Sequence, residues 1–279
     1  MKTDNQLPEI IIRPQSPWKL IDFFDLWRYR ELLYIFAWRD IKVKYKQTVF
    51  GFLWVIFQPL ASTLIFTVFF GKLAKIPSYN LPYSLFVLCG LIFWLYFSGS
   101  VSQAANSMLL NQGIIKKIYF PKLILPLSYI LTNGLDLVIN LIFLFLYAGY
   151  LGFMPSASIF FLLPLAFIMT VLTASGLGFL LAAVNVKYRD VNYILPYFIQ
   201  MLLFITPVIY PVSIVSDINR LILAVNPMSS VVEMIRMVFS NEVQFNPYMV
   251  VISFSSSLII FLFGIWYFKR TELFFADIV

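Results

Sequence analysis

Residues 137–186 read LVINLIFLFLYAGYLGFMPSASIFFLLPLAFIMTVLTASGLGFLLAAVNV, fifty consecutive positions without a charged side chain. A helix needs ~20 such residues to cross the ~30 Å hydrocarbon core of a bilayer. Fifty residues therefore hold two crossings, and the turn-prone GYLGFMPSAS at 149–158 marks the reversal between them.

Working outward, further uncharged windows cover 47–71, 76–115, 191–216 and 243–268, and only Asp136 separates 123–135 from the opening stretch. The 40-residue window holds one crossing, because its tail SQAANSMLLNQG is mild in hydropathy. This places spans at about 52–71, 83–107, 123–149, 158–184, 192–211 and 248–268. The fold class is all-α integral membrane with six transmembrane helices. Composition agrees: of 279 residues, 61% are apolar and 12% charged, about half the usual charge of a soluble domain. A water-soluble globule and a disordered chain are both excluded. Three segments result: a cytoplasmic tail 1–27, an interfacial amphipathic helix within 28–50, and a membrane domain 51–279.

Basic residues orient the spans. With the N-terminus inside, sixteen Lys and Arg fall on cytoplasmic segments and four (Lys72, Lys75, Arg220, Arg236) outside. The net charge of +7 then belongs to flanks that meet an anionic leaflet, and no nucleic acid is needed to explain it. Both termini are expected in the cytoplasm. The first 30 residues lack the unbroken apolar region of a signal peptide, so no cleavage is expected.

Some segments are not ordinary spans. RYRELLYIFAWRDIKVKYK (28–46) is helical in pattern but too charged to cross. Leu33, Ala37, Ile41, Tyr34, Tyr45 and Trp38 share one sector, Arg39, Lys42 and Lys46 lie opposite, and Lys44 sits at the apolar edge. A helix lying along the inner leaflet is expected. Between spans 5 and 6, residues 212–247 contain the apolar runs RLILAVNP and MSSVVEMIRMVF, broken by Pro227. Each is too short to span, so two short re-entrant or gate helices are expected. Span 5 carries Pro196, Pro207 and Pro211 and should kink or stop near Thr206–Pro207. Ser98, Ser102 and Asn106, and likewise Ala174, Gly178 and Ala182, form small-residue ladders for close helix packing. Asp136 is the one acid inside a span; Asn133 and Asn140 flank it, and a polar structural network is favoured over a proton relay with a single stop.

Several chemistries are excluded. Without histidine, and with Cys89 the only cysteine, there is no imidazole metal site, no His-based triad and no internal disulfide. No catalytic or metal-binding residue is assigned. The nearest approach to a P-loop, Gly71-Lys72, is followed by Leu73 and lacks the upstream glycine. Any motor must be another polypeptide.

WRDIKVKYKQTVFGFLWVIFQPL (38–60), IIKKIYFPKLILPL (114–127), NVKYRDVNYILPYFIQ (185–200), TPVIYP (206–211) and NPMSSVVEMIR (226–236) together resemble the membrane subunit of polysaccharide-exporting ABC transporters, the O-antigen and capsule exporter type within the type-2 ABC exporters. The resemblance runs from about Trp27 to the C-terminus. It implies a homodimer paired with two copies of an ATP-binding subunit, which binds the ATP and Mg, and a lipid-linked polysaccharide as cargo. The implied ATPase-coupling residues are Arg39, Asp40, Lys42 and Lys44 on the interfacial helix, Lys116 and Lys117 in the loop 111–122, and Lys187, Arg189 and Asp190. The implied periplasmic gate contains Pro207, Pro211, Asn226, Pro227, Glu233 and Arg236. Spans 1 and 5 would line the conduit, with Trp54, Phe57, Phe66, Tyr197, Phe198 and Phe204 meeting the C–H faces of sugars and Gln58 and Gln200 serving as amide partners. The chain would supply no enzyme activity of its own.

Within that framework the cargo alternative is a teichoic acid or another amphipathic molecule. An integral membrane glycosyl- or acyltransferase would need a histidine or paired carboxylates, and Asp136 and Asp190 lie in different segments. A secondary carrier would show inverted repeats, and the two halves do not correspond.

Overall fold

The computed structural model describes residues 27–46, 51–188, 190–240, 242–243, 246–272 and 275. The expected tail up to residue 26, the end of the interfacial segment at 47–50, and Arg189 lie outside the described residues. Among the described residues the secondary structure is helical throughout, with no strand.

The elements are α1 (Arg30–Lys46), α2 (Leu53–Phe66, continued by a π-helical turn Thr67–Leu73), α3 (Tyr83–Leu110), α4 (Gln112–Ile115), α5 (Ile124–Tyr150), α6 (Ile159–Lys187), α7 (Val191–Ile205), α8 (Asp217–Ala224), α9 (Pro227–Phe239) and α10 (Pro247–Glu272). Five are long and apolar enough to cross a membrane: Leu53–Leu73, Tyr83–Leu110, Ile124–Tyr150, Ile159–Lys187 and Pro247–Glu272. The fifth expected span, 192–211, is shorter than the sequence suggested. Its helix stops at Ile205, and Thr206 is extended, with ψ 134°. Pro207 is the cause: it offers no N–H and pushes the preceding residue out of helical geometry. The two short helices expected around Pro227 are α8 and α9, and Pro227 opens the second at its first position, where a missing N–H costs nothing.

α3 is the centre of the bundle. Its first half is buried around the whole circumference, from Leu85 to Trp94 without a break, as a helix surrounded by others must be. α6, α5, α9 and α2 pack on it, and α10 packs chiefly on α6. α2 and α7 sit at the periphery. The α6–α10 crossing brings backbones into contact: a Cβ on Gly264 would stand 2.0 Å from the Gly176 carbonyl oxygen. The ladder Ala174, Gly178, Ala182 is buried, and a Cβ on Gly178 would meet Ala104 on α3 at 2.8 Å. On α3 the register differs from the expected one. The buried small residues are Ser100, Ala104, Ala105 and Ser107, whereas Ser98, Ser102 and Asn106 are half-buried. Asn106 is drawn instead to Asn185, whose amide donates to its Oδ1 at 3.2 Å.

The reversal expected near GYLGFMPSAS follows α5. Gly152 takes φ +82°, and the Phe153 N–H returns to the Ala148 carbonyl at 2.9 Å, closing the helix end.

Candidate functional site

The polar side chains gather at the two ends of the bundle. At one end α1 lies against the first half of α5, which carries Ser128, Thr132, Asn133 and Asp136 along one stripe. Ser128 Oγ donates to Asp40 Oδ2 at 3.5 Å and Thr132 Oγ1 to the Ala37 carbonyl at 3.3 Å. Lys44 forms an ion pair with Asp136, and the Tyr45 hydroxyl donates to the same carboxylate. Burial, then the hydrogen bond and negative charge of Asp136, push the Tyr45 phenol well above its usual range.

This turns α1 only partly off the expected apolar sector, of which Ala37, Leu33 and Tyr45 still face the bundle. Phe36 and Ala37 are its buried residues, while Tyr34 and Trp38 are exposed and stacked on each other at 6.4 Å. The reason is that α5 offers ionic and hydroxyl partners that a purely apolar face could not satisfy. Asp136 also departs from expectation. Its partners are Lys44 and Tyr45, not the flanking amides: Asn133 accepts from Lys44 at 3.1 Å, and Asn140 Oδ1 is buried without a hydrogen-bond partner among the described residues.

The charges singled out for coupling therefore divide. Arg39 pairs with Asp40 at 2.7 Å and donates to Asn111 Oδ1 at 3.0 Å, which ties α1 to the α3–α4 junction. Asp40 and Lys44 face α5. Lys42 points outward, its ammonium 5.4 Å from the Trp38 ring centre. Lys116 and Lys117 stand exposed with Ile118 and Tyr119, on a tip whose flanks are pinned by the buried Ile115 and Phe120. Lys187 is exposed with its ammonium 5.1 Å from the Tyr188 ring centre, and Asp190 is exposed at the start of α7. Lys122 N–H donates to Glu272 Oε1 at 3.0 Å, so the end of α10 is at this same end.

The expected conduit residues lie on the outward faces of α2 and α7. Trp54, Phe57 and Gln58, with Ala61 and Ser62, line a groove of about 380 Å³, and Trp54 meets Phe57 edge-on at 5.3 Å. Tyr197, Phe198, Gln200 and Phe204 are exposed on α7. Phe66 is not on this surface: it is half-buried, packed on the core and edge-on to Phe70 at 5.8 Å.

At the opposite end the expected gate residues fall into two groups, Glu233 and Arg236 near the end of α9 and Asn226 and Pro227 at its start, both joined to the segment 206–211. Arg236 is fully buried; it donates to the carbonyls of Val208 (2.6 Å), Phe86 (3.2 Å) and Tyr210 (3.3 Å) and pairs with Glu233 at 2.9 Å. Pro207 and Pro211 bracket Val208 and Tyr210 in the chain. Asn226 caps α9 by accepting from Met228 N–H at 3.1 Å, and its own amide donates to Thr206 Oγ1 at 2.8 Å. Tyr83 donates to the Ile209 carbonyl at 2.7 Å. The Tyr79 oxygen accepts from Ser213 N–H at 3.2 Å. Burial and the Glu233 charge raise the Tyr79 phenol, against the lowering effects of Ser213 and Arg236.

Sequence reasoning missed Asn185, whose amide donates to the Ala105 carbonyl (2.9 Å) and to Asn192 Oδ1 (2.9 Å) and so joins α3, α6 and α7. It also missed the Gly176–Gly264 crossing. The signal for each was present: a buried-type polar residue at the end of a long apolar helix, and isolated glycines inside two of them.

Apolar helices around a buried centre, with charged elements confined to the ends, define a multi-pass membrane protein. The chain belongs to the ABC-2 type transporter family, whose profile matches residues 31–240. It is similar to the O-antigen export system permease protein RfbA of Klebsiella pneumoniae, with 29% identity over 89% of this chain and 95% of the relative. The RfbA protein of Myxococcus xanthus is 30% identical over 77% of this chain and 82% of the relative. The polysialic acid transport protein KpsM of Escherichia coli is 25% identical over 71% and 77%.

Proposed function

We propose that this chain is the permease subunit of an ABC exporter that moves a lipid-linked polysaccharide, an O-antigen, capsule or similar glycan, outward across the cytoplasmic membrane. One observation carries the reading: relatives named as O-antigen export permeases align with 77% and 89% of the chain. Two copies of the chain pair with two copies of an ATP-binding subunit, which holds ATP and Mg. α7 completes six crossings together with the buried segment 206–211, and both termini are cytoplasmic.

In this reading α1 and the Lys116–Tyr119 tip receive the closing motion of the ATPase. Their displacement tilts α2 and α7, and the Arg236 cluster governs the outer mouth. The chain contributes a preference of its open and closed forms for the ATP-bound partner. The aromatic faces of α2 and α7 hold sugar rings weakly at many points.

The test is co-expression with the ATP-binding subunit that serves it, in a strain deleted for both genes. Surface glycan should return only when both are supplied. Return of glycan with this chain alone, or failure with both, overturns the reading.

A further inference from the structure

Asp136 closes a network that ties α1 to two helices of the bundle. Lys44 and Tyr45 of α1 both reach its carboxylate. The Lys44 ammonium also donates to Asn133 Oδ1 at 3.1 Å, and the Asn133 amide donates onward to Gln103 Oε1 of α3 at 3.1 Å. The path from α1 through α5 to α3 is continuous, and α3 is the most buried of the five long helices.

Elsewhere α1 is held by the Arg39–Asn111 bond at 3.0 Å and by the longer bonds of Ser128 to Asp40 and of Thr132 to the Ala37 carbonyl, at 3.5 and 3.3 Å. Only Phe36 and Ala37 are buried on α1, and apolar burial does not choose a register. A charge-assisted pair with two further hydrogen bonds does. Position matters too. Asp136 is the thirteenth residue of the 27-residue α5, and from Leu137 to Tyr150 that helix is uncharged. The carboxylate thus stands where the polar stripe of α5 gives way to its lipid-compatible half. Left without Lys44, it would be an uncompensated charge at that border.

We propose that Asp136 is a positioning residue for transport: it locks α1 to α5, so that a displacement imposed on α1 passes as one body to α5 and, through Asn133 and Gln103, to α3. This rests on the exporter reading above. It also explains why Lys44 faces inward on a helix whose Lys42 and Lys46 are exposed.

Spin labels on Val43→Cys and Leu131→Cys, exposed by 73% and 53% on α1 and α5, read the joint directly. In the full complex with its ATPase, the label distance should be narrow and unchanged when a non-hydrolysable ATP analogue is added. In an Asp136→Asn background it should broaden or shift with nucleotide. An Asp136→Asn distribution matching the wild type in both conditions overturns the proposal.

A second arm measures glycan exported per ATP hydrolysed. Asp136→Asn should keep its association with the ATPase and lose about tenfold in that ratio, within the range of coupling energies between sites. The exchanged pair Lys44→Asp with Asp136→Lys should recover to within about threefold of wild type. An unchanged ratio in Asp136→Asn, or an exchanged pair no better than the single variant, refutes the joint. If Asp136→Asn does not fold, Tyr45→Phe, which deletes one hydroxyl, should still lower the ratio, and no effect there counts against the proposal. Should the wild-type complex export no glycan, the cargo reading fails while the label distances still decide the joint.

Discussion

The Arg236 guanidinium lies 3.5 Å from the centre of the Phe86 ring, with no exposure to solvent. This places a cation on an aromatic face inside the bundle, where the contact is strongest because water does not compete. The same group donates to the carbonyls of Val208 and Tyr210, two residues that follow the abrupt end of α7. Those carbonyls have left a helix and need donors, and Arg236 supplies them.

Arg236→Met should destabilise the protein by about 3–5 kcal/mol, because it strands Glu233 and several buried carbonyls at once. Arg236→Lys should rescue little, since an ammonium lacks the planar fork that stacks and reaches three carbonyls. Glu233→Gln should cost only about 1 kcal/mol, because an amide oxygen still accepts from Arg236 and Val212. Thermal unfolding of the purified protein in detergent checks the order. Equal losses for Arg236→Met and Glu233→Gln would refute the cluster's central role for the arginine.

Gly264→Ala should be strongly destabilising, since its Cβ would stand 2.0 Å from the Gly176 oxygen and force α6 and α10 apart. Gly134→Ala, with nothing within 4 Å of its new Cβ, should instead stabilise α5 by up to about 1 kcal/mol through helix propensity. Opposite signs in unfolding temperature are the expected result. Matching signs would mean the crossing is looser than described.

Lys116→Glu with Lys117→Glu reverses charge at two exposed positions of the tip. Membrane insertion and thermal stability should stay near wild type, while ATP-driven export falls at least about tenfold through lost electrostatic complementarity with the ATPase. The measurement is surface glycan normalised to permease in the membrane. Wild-type export would remove the tip from the coupling surface.

Trp54→Ala should impair export more than Leu262→Ala. Both residues are half-exposed on peripheral faces, at 50% and 48%, but only Trp54 belongs to the α2 groove. Phe261 is a poorer control because it packs on Phe179 at 6.3 Å, so its truncation also loosens the core. Equal export from the two variants, at equal expression, would argue against sugar passage along α2.

The amino-acid sequence alone determined the membrane class, the five long spans to within a few residues, the stop at Thr206–Pro207 and the two short helices around Pro227. These are properties of continuous stretches, where ~20 uncharged residues or one proline act locally. The family resemblance, and no local rule, singled out Glu233 and Arg236, which the structure pairs at 2.9 Å. The tertiary structure alone decided which remote residues pair. Lys44 and Asp136 are 92 positions apart, Arg236 and Phe86 150, and nothing local pairs them. The helical wheel placed Leu33 and Ala37 inward and Lys42 and Lys46 outward, but the inward turn of Lys44 and the exposure of Tyr34 and Trp38 depend on the polar stripe of α5. Chain distance carries the physical reason: local propensity sets where a helix runs, while ion pairs, hydrogen bonds and glycine contacts between remote segments set how it is turned.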